Sequence, residues 1–239
     1  GFSAIHIDAG SLESDQLLDN AALQQAYTQA AADTGVMIGA IAASYLSEYG
    51  LTNPKGTENA HKCWELIKVS IEAASQMKVG CVFFPSFAAS EIHSENDLMR
   101  TAEIVHEACI YAESHDLHLA TENTLSASDQ LKLLKTVDHP KFLVLIDTLN
   151  PVLWGHNTNQ LVEELWPFLS DQLHIKDGIN GKMGNAVLGT GDAGFLETAQ
   201  TLVARGFDGT LISENDYCGE REAYAARDIA VISGLFSLY

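Results

Sequence analysis

Seven short apolar runs of strand character, each followed by a segment with helical periodicity, recur along this chain, and that alternation limits the fold more than any other feature. The runs lie at residues 3–8, 36–43, 81–86, 118–123, 142–148, 173–177 and 210–216. Helical patterns follow at 15–34, 60–74, 96–115, 131–137, 160–169, 195–204 and 221–238. In the first of these, Leu18, Ala22, Ala26 and Ala30 repeat at helical spacing and Gly35 supplies a stop. In the second, Ala60, Cys63, Ile67, Ile71 and Ala74 trace one face before Gly80. Pro85 sits at the end of its run, where a missing amide donor is tolerated. Strict alternation of this kind predicts parallel strands joined by crossover helices, an α/β protein.

Two such architectures compete, an open doubly wound sheet and a closed (β/α)8 TIM barrel. An open sheet gathers its site at one switch point, often after a G-x-G-x-x-G turn, and no such turn follows a strand here. A barrel instead collects side chains from several strand ends at one face. Four runs in this chain end in ligand-type residues, which favours the barrel. Seven strands rather than eight predict a barrel lacking its first βα unit in this chain. With 239 residues and 46% hydrophobic content, there is enough apolar material for one barrel-like domain over residues 1–239.

Composition narrows the partners. Lys and Arg total 13 against 32 Asp and Glu, a balance of −19, and no basic cluster interrupts it. Such a chain repels nucleic acid and anionic membranes, so neither is expected as a partner. There is no run of about 18 uncharged apolar residues, and Gly1, Phe2 and Ser3 do not open a secretory signal, which predicts a cytoplasmic protein. Cys63, Cys81, Cys109 and Cys218 are scattered without a C-x-x-C pair and are expected to be thiols rather than disulfides or zinc ligands. A small uncharged or weakly anionic substrate, drawn in by a local cation, fits this balance better. A homo-oligomer is compatible with it.

The strand ends carry the chemistry. Glu122, Asp147, His174 and Glu214 close four successive runs, and three carboxylates with one imidazole suit a divalent cation: Mn²⁺, Mg²⁺ or Co²⁺, with Zn²⁺ also compatible. A metal on a carbonyl and its neighbouring hydroxyl stabilises the enediolate left when the adjacent C–H loses its proton. Glu122 and Glu214 are the expected proton-transfer pair, giving isomerisation or epimerisation, while Asp147 and His174 mainly hold the metal. His174 and Lys176 lie two apart on one strand and share a face. Lys176 is expected to bind substrate, pairing with an anionic group there or with Asp177. A Schiff-base lysine would make the chain an aldolase, but the metal set would then have no role. His6, His93 and His156 read as surface or packing residues, and Trp64, Trp154 and Trp166 as core rather than sugar platform, with Trp154 close enough after Asp147 to stay a candidate for the latter.

This order of residues, with His174 inside His174-Ile-Lys-Asp177, resembles the xylose-isomerase-like superfamily of sugar isomerases and epimerases. In that family a glutamate, an aspartate, a histidine in an H-[LIV]-K-D context and a glutamate end strands five to eight. The loop Leu188-Gly-Thr-Gly-Asp192 with Phe195 is similar to the family's G-x-G-x-x-x-F segment. The resemblance covers most of the chain and implies a metal-dependent isomerase or epimerase acting on a sugar, sugar phosphate or cyclitol. An inosose-type dehydratase shares the first step, and an endonuclease IV-like metal nuclease belongs to the wider superfamily. Where many epimerases carry a histidine three residues after the strand-six aspartate, this chain has Asn150, which the resemblance implies as a hydrogen-bonding substrate contact that takes no proton. The arginine that some ketose epimerases place after the histidine strand has no counterpart in Gly178-Ile-Asn-Gly-Lys182. The exact substrate is not transferred.

Overall fold

The structure is a computed structural model that describes residues 1–217 and 221–236. Two compact units divide the chain: residues 3–144, and the residues from 145 onward together with Gly1 and Phe2.

In the first unit, β1 (Ala4–Asp8), α1 (Ala21–Thr34), β2 (Met37–Ala42), α2 (Leu46–Tyr49), α3 (Glu58–Met77), β3 (Cys81–Pro85), α4 (Glu95–Ala112), β4 (His118–Glu122), α5 (Ala127–Val137) and β5 (Phe142–Val144) follow in order. The strands form one parallel sheet in the order β1-β2-β3-β4-β5, as the alternation predicted. All five residues of β3 are buried, the signature of a parallel strand covered on both faces. Val82 and Phe84 of β3, Leu119 of β4 and Leu66, Ile67 and Ile71 of α3 are fully buried at its core. Side-chain caps start α1, α3, α4 and α5: Asn20, Thr57, Ser94 and Ser126 each accept backbone N–H groups that have no partner within the helix.

The first of those caps corrects an expected boundary. The helix expected from residue 15 begins at Ala21, because the Asn20 side chain accepts the Ala22 and Leu23 amides and so ends the loop there. That loop is fixed from within: Asp8 Oδ1 accepts the Gly10 N–H at 2.7 Å, and Gln24 donates to the Leu18 carbonyl at 2.6 Å. Gly10 itself has a φ of 82°, a conformation that suits glycine. The short α2 carries no sequence period of its own.

In the second unit, α6 (Asn150–Leu153), α7 (Thr158–Leu165), β6 (Gln172–Ile175), α8 (Phe195–Ala204), β7 (Thr210–Ser213) and α9 (Arg221–Phe236) follow. Strands β6 and β7 pair in parallel. Ile175, Leu188, Phe195 and Ala199 form a buried cluster, with Leu211, Val231, Ile232, Leu235 and Phe236 packed against it. The expected strand 142–148 is regular only at Phe142–Val144; farther on, Asp147 bridges to His174 beside β6. The expected final helix is observed as Arg221–Phe236, its last two expected residues lying outside the described ones.

Cys63, Cys81 and Cys109 are buried and none forms a disulfide; Cys218 lies outside the described residues. The tryptophans depart from expectation. Trp154 is 42% exposed and Trp64 and Trp166 are half-buried, while Phe84, Phe142 and Phe195 fill the core instead. Among the described residues no helix is long and apolar enough to cross a membrane.

Candidate metal and acid–base site

Three segments of the second unit build the site. Leu173 and Ile175 of β6 are fully buried, each worth ~2–3 kcal/mol against exposure. With those two packed away, strand alternation turns His174 and Lys176 together to the other side, and both reach Glu214.

Asp147 is set beside this strand by main-chain pairing. The Thr148 N–H donates to the His174 carbonyl at 3.0 Å, and the His174 N–H donates to the Ile146 carbonyl at 3.0 Å. Asp147 Oδ1 then accepts the N–H groups of Leu149 at 2.8 Å and Asn150 at 2.5 Å, which starts α6 with Pro151 in its first turn. These two bonds aim Oδ2 the other way, 3.3 Å from Lys176 Nζ. The buried Thr148 hydroxyl locks the two segments, donating to the Lys176 carbonyl at 2.7 Å and accepting the Lys176 N–H at 2.9 Å.

Glu214 follows β7 directly, its N–H donating to the Ile175 carbonyl at 3.0 Å. Oε1 lies 3.2 Å from His174 Nδ1, and Oε2 accepts from Lys176 Nζ at 2.8 Å. Its side chain is 37% exposed, whereas Asp147 and His174 are each 1% exposed. One donor atom each from Asp147, His174 and Glu214 lie within 4.8 Å of one another. Two carboxylates and an imidazole in that space fit a divalent cation of oxygen and nitrogen preference, and the chemistry of the donor set admits Mn²⁺, Mg²⁺, Co²⁺ or Zn²⁺. Glu122 ends β4 in the other unit and is 5% exposed. Asn150 is also 5% exposed.

One sequence expectation is corrected here. Lys176 pairs with Asp147 and Glu214 rather than with Asp177. Asp177 is occupied by four backbone amides: Oδ1 accepts Gly178 at 2.9 Å and Ala193 at 3.1 Å, and Oδ2 accepts Gly189 and Gly191 at 2.9 Å each. A carboxylate accepts several N–H groups well, so the glycine-rich loop is a nest for a side chain of the same protein. A Cβ on Gly191 would lie 2.3 Å from Asp177 Oδ1, which is why glycine stands there.

Sequence reasoning missed Thr148, Asn215, Tyr217 and Asp228. Thr148 and Asn215 adjoin singled-out acids, a weak signal; Asp228 sits inside a helical pattern and has none. Burial is the first cause pushing the Tyr217 phenol up to about 12, its hydrogen bond to Asp228 adding to this and that with Ser213 opposing it. The His93 side chain is 74% exposed beside Glu91, and His6 packs against the Phe83 ring.

The sequence matches the family model of the xylose isomerase-like TIM barrel over residues 1–235. The chain belongs to the xylose isomerase-like TIM barrel family. It is 30% identical over 230 residues to the 2-epi-5-epi-valiolone 7-phosphate 2-epimerase of Actinoplanes sp., covering 95% of this chain and 82% of that protein. Among solved structures, an L-ribulose 3-epimerase superposes with a TM-score of 0.81 at 15% identity, covering 100% of this chain and 85% of the other. A xylose isomerase domain protein from Planctomyces limnophilus gives 0.79 at 17% identity, covering 98% and 88%. These likenesses establish the α/β TIM-barrel fold of the xylose isomerase-like family for this chain.

Proposed function

We propose that this protein is a divalent-metal-dependent isomerase or epimerase of a small carbohydrate, either a sugar, a sugar phosphate or a cyclitol. The observation that carries the reading is the convergence of Asp147, His174 and Glu214, with one donor atom each within 4.8 Å of one another, in a chain of this family. The related 2-epimerase supports it, since its name describes inversion at carbon 2 of a phosphorylated ketone.

In this reading Glu122 joins Asp147, His174 and Glu214 as metal ligand, and one barrel-like domain spans residues 1–239. When bound, a divalent cation would supply Lewis-acid stabilisation of negative charge on the substrate's carbonyl oxygen. Glu122 and Glu214 are the proton-transfer pair: one takes the proton from the carbon beside the carbonyl, and the other returns one to the opposite face or the neighbouring carbon. Asp147 and His174 serve as ligands. The Lys176 ammonium, 2.8 Å from Glu214 and 3.3 Å from Asp147, balances the two carboxylates and donates to a substrate oxygen. Asn150 binds a hydroxyl. The protein works in the cytoplasm, without nucleic acid or membrane.

Two measurements test this together. Elemental analysis is expected to find one divalent metal per chain, and metal-stripped protein should melt higher on titration with Mn²⁺, Co²⁺ or Zn²⁺, because a ligand that binds only the folded state raises its stability. Solvent deuterium should then enter a ketose, an inosose or one of their phosphates beside the carbonyl. Protein that holds no metal, gains no stability and exchanges none of the panel would overturn the reading.

A further inference from the structure

The ladder between β6 and β7 stops at the Glu214 N–H to Ile175 carbonyl bond, but the pairing of the two segments continues one step farther through a side chain. The next amide on the β6 side, Asp177 N–H, donates at 2.9 Å to Asn215 Oδ1. Asn215 Nδ2 donates in turn to the Ala186 carbonyl at 3.0 Å and to Asp228 Oδ2 at 2.7 Å. Asp228, fully buried in α9, also accepts the Tyr217 hydroxyl at 2.7 Å on Oδ2 and the Leu188 N–H at 2.8 Å on Oδ1.

The chemistry leaves Asn215 a single orientation. A backbone N–H can only donate and a backbone carbonyl can only accept, so the amide oxygen must face the Asp177 N–H and the amide nitrogen the Ala186 carbonyl and, beside it, Asp228. The far side is equally constrained, since the four amides on the Asp177 carboxylate hold the end of the β6 segment in the glycine loop. Between these anchors lie Lys176 and Glu214, whose charged atoms meet at 2.8 Å.

We propose that Asn215, clamped by Asp228 and Tyr217, is a positioning residue that sets the Glu214 carboxylate against His174 and Lys176 by prolonging strand pairing past the end of the sheet. Its consequence for metal binding rests on the function proposed above. Aspartate at 215 would oppose the Asp228 carboxylate, and alanine would strand the Asp177 amide, so neither reproduces the clamp.

The test compares the metal-stripped parent with Asn215→Ala, Asp228→Asn and the exchanged pair Asn215→Asp with Asp228→Asn, titrated with Co²⁺ and unfolded in urea without metal. Each single variant is expected to lose roughly tenfold in Co²⁺ affinity, the low end for groups that orient ligands without binding the ion. The exchanged pair restores a donor facing an acceptor between positions 215 and 228, reversed, though it gives up the bond to the Ala186 carbonyl, and should bind more tightly than the weaker single variant. Parent-like Co²⁺ affinity in both single variants, even with a lowered urea midpoint, would show a merely structural role and overturn the inference, as would an exchanged pair no better than the weaker single variant. Should the single variants fail to fold, Tyr217→Phe leaves Asn215 intact, removes one partner of Asp228, and must still weaken Co²⁺ binding for the inference to stand. If the parent binds no divalent ion, the proposed function fails instead. Amide exchange then decides the clamp: the Asp177 N–H must exchange at least ~10-fold faster in Asn215→Ala, because its acceptor is gone, and parent-like exchange overturns it.

Discussion

Lys176 is 7% exposed and faces two carboxylates, so its ammonium is the local cation that lets Asp147 and Glu214 lie close together. Removing it leaves two carboxylates facing each other with less compensation. Lys176→Ala should therefore destabilise the metal-free protein by about 3–5 kcal/mol, the usual result of breaking a buried ion pair. Saturating Mn²⁺ should return part of that loss in a thermal scan, and a variant as stable as the parent without metal would refute the account. The roles within the acidic set should also separate. Glu122→Gln and Glu214→Gln keep shape and a ligand oxygen but lose the proton acceptor, and at least one should keep metal while turnover falls roughly 10²- to 10⁴-fold. His174→Ala should lose metal first. If both glutamine variants exchange substrate hydrogen with solvent at the parent rate while holding metal, the two-carboxylate mechanism is wrong.

At the scale of the element, the glycine loop between β6 and α8 shows a local motif whose meaning lies elsewhere in the chain. Its glycines were visible in the sequence, where they gave only a likeness to the family's G-x-G-x-x-x-F segment and no partner for their amides. The structure places the Asp177 carboxylate there, and Gly194, with a φ of 65°, starts α8 without the side-chain cap found on α1, α3, α4, α5 and α7. Gly191→Ala should lower stability by about 1–3 kcal/mol, the range for overpacking a filled site. Gly80→Ala is the control, because nothing lies within 4 Å of its Cβ position and its backbone is not left-handed. It should be neutral or slightly stabilising through the unfolded chain. Urea unfolding of the two variants measures the contrast, and equal midpoints would remove the argument from close approach.

For the molecule as a whole, buried acids that stay protonated set an alkaline limit. Burial pushes the Cys63 and Cys109 thiols up to about 12 from 9.0. Burial, then the hydrogen bond to Glu13, pushes Tyr49 up to about 12 from 10.0, and Tyr217 rises equally. Each group keeps its proton longer in the folded state than in the unfolded one. Above the unfolded values the unfolded chain therefore binds fewer protons, and stability falls as pH rises. The contribution is whole below about 9 and is lost between there and about 12, the window those values define. A urea midpoint that stays flat from pH 9 to 11.5 would contradict this, as would rapid native-state labelling of Cys63 or Cys109 by a thiolate reagent at pH 8. The net charge of −19 adds a second expectation: self-repulsion should ease with added salt, raising the melting temperature between about 10 and 150 mM ionic strength.

By itself the sequence determined what depends on local pattern. Alternating strand and helix periods led to parallel pairing, because periods of two and of 3.6 residues select faces without distant information. The same pattern put His174 and Lys176 on one side of a strand and an acid at the end of three others. Tertiary structure decided which charges met. Lys176 had an aspartate as its neighbour in sequence but found Asp147 and Glu214, because four backbone amides had already claimed Asp177. Thr148, Asn215 and Asp228 acquired their roles only when segments far apart in the chain were folded together: Thr148 and Lys176 are 28 residues apart, and Asn215 and Asp177 are 38. A hydrogen bond over such a separation leaves no period in the sequence, since it depends on where two backbones arrive and not on the spacing along either one.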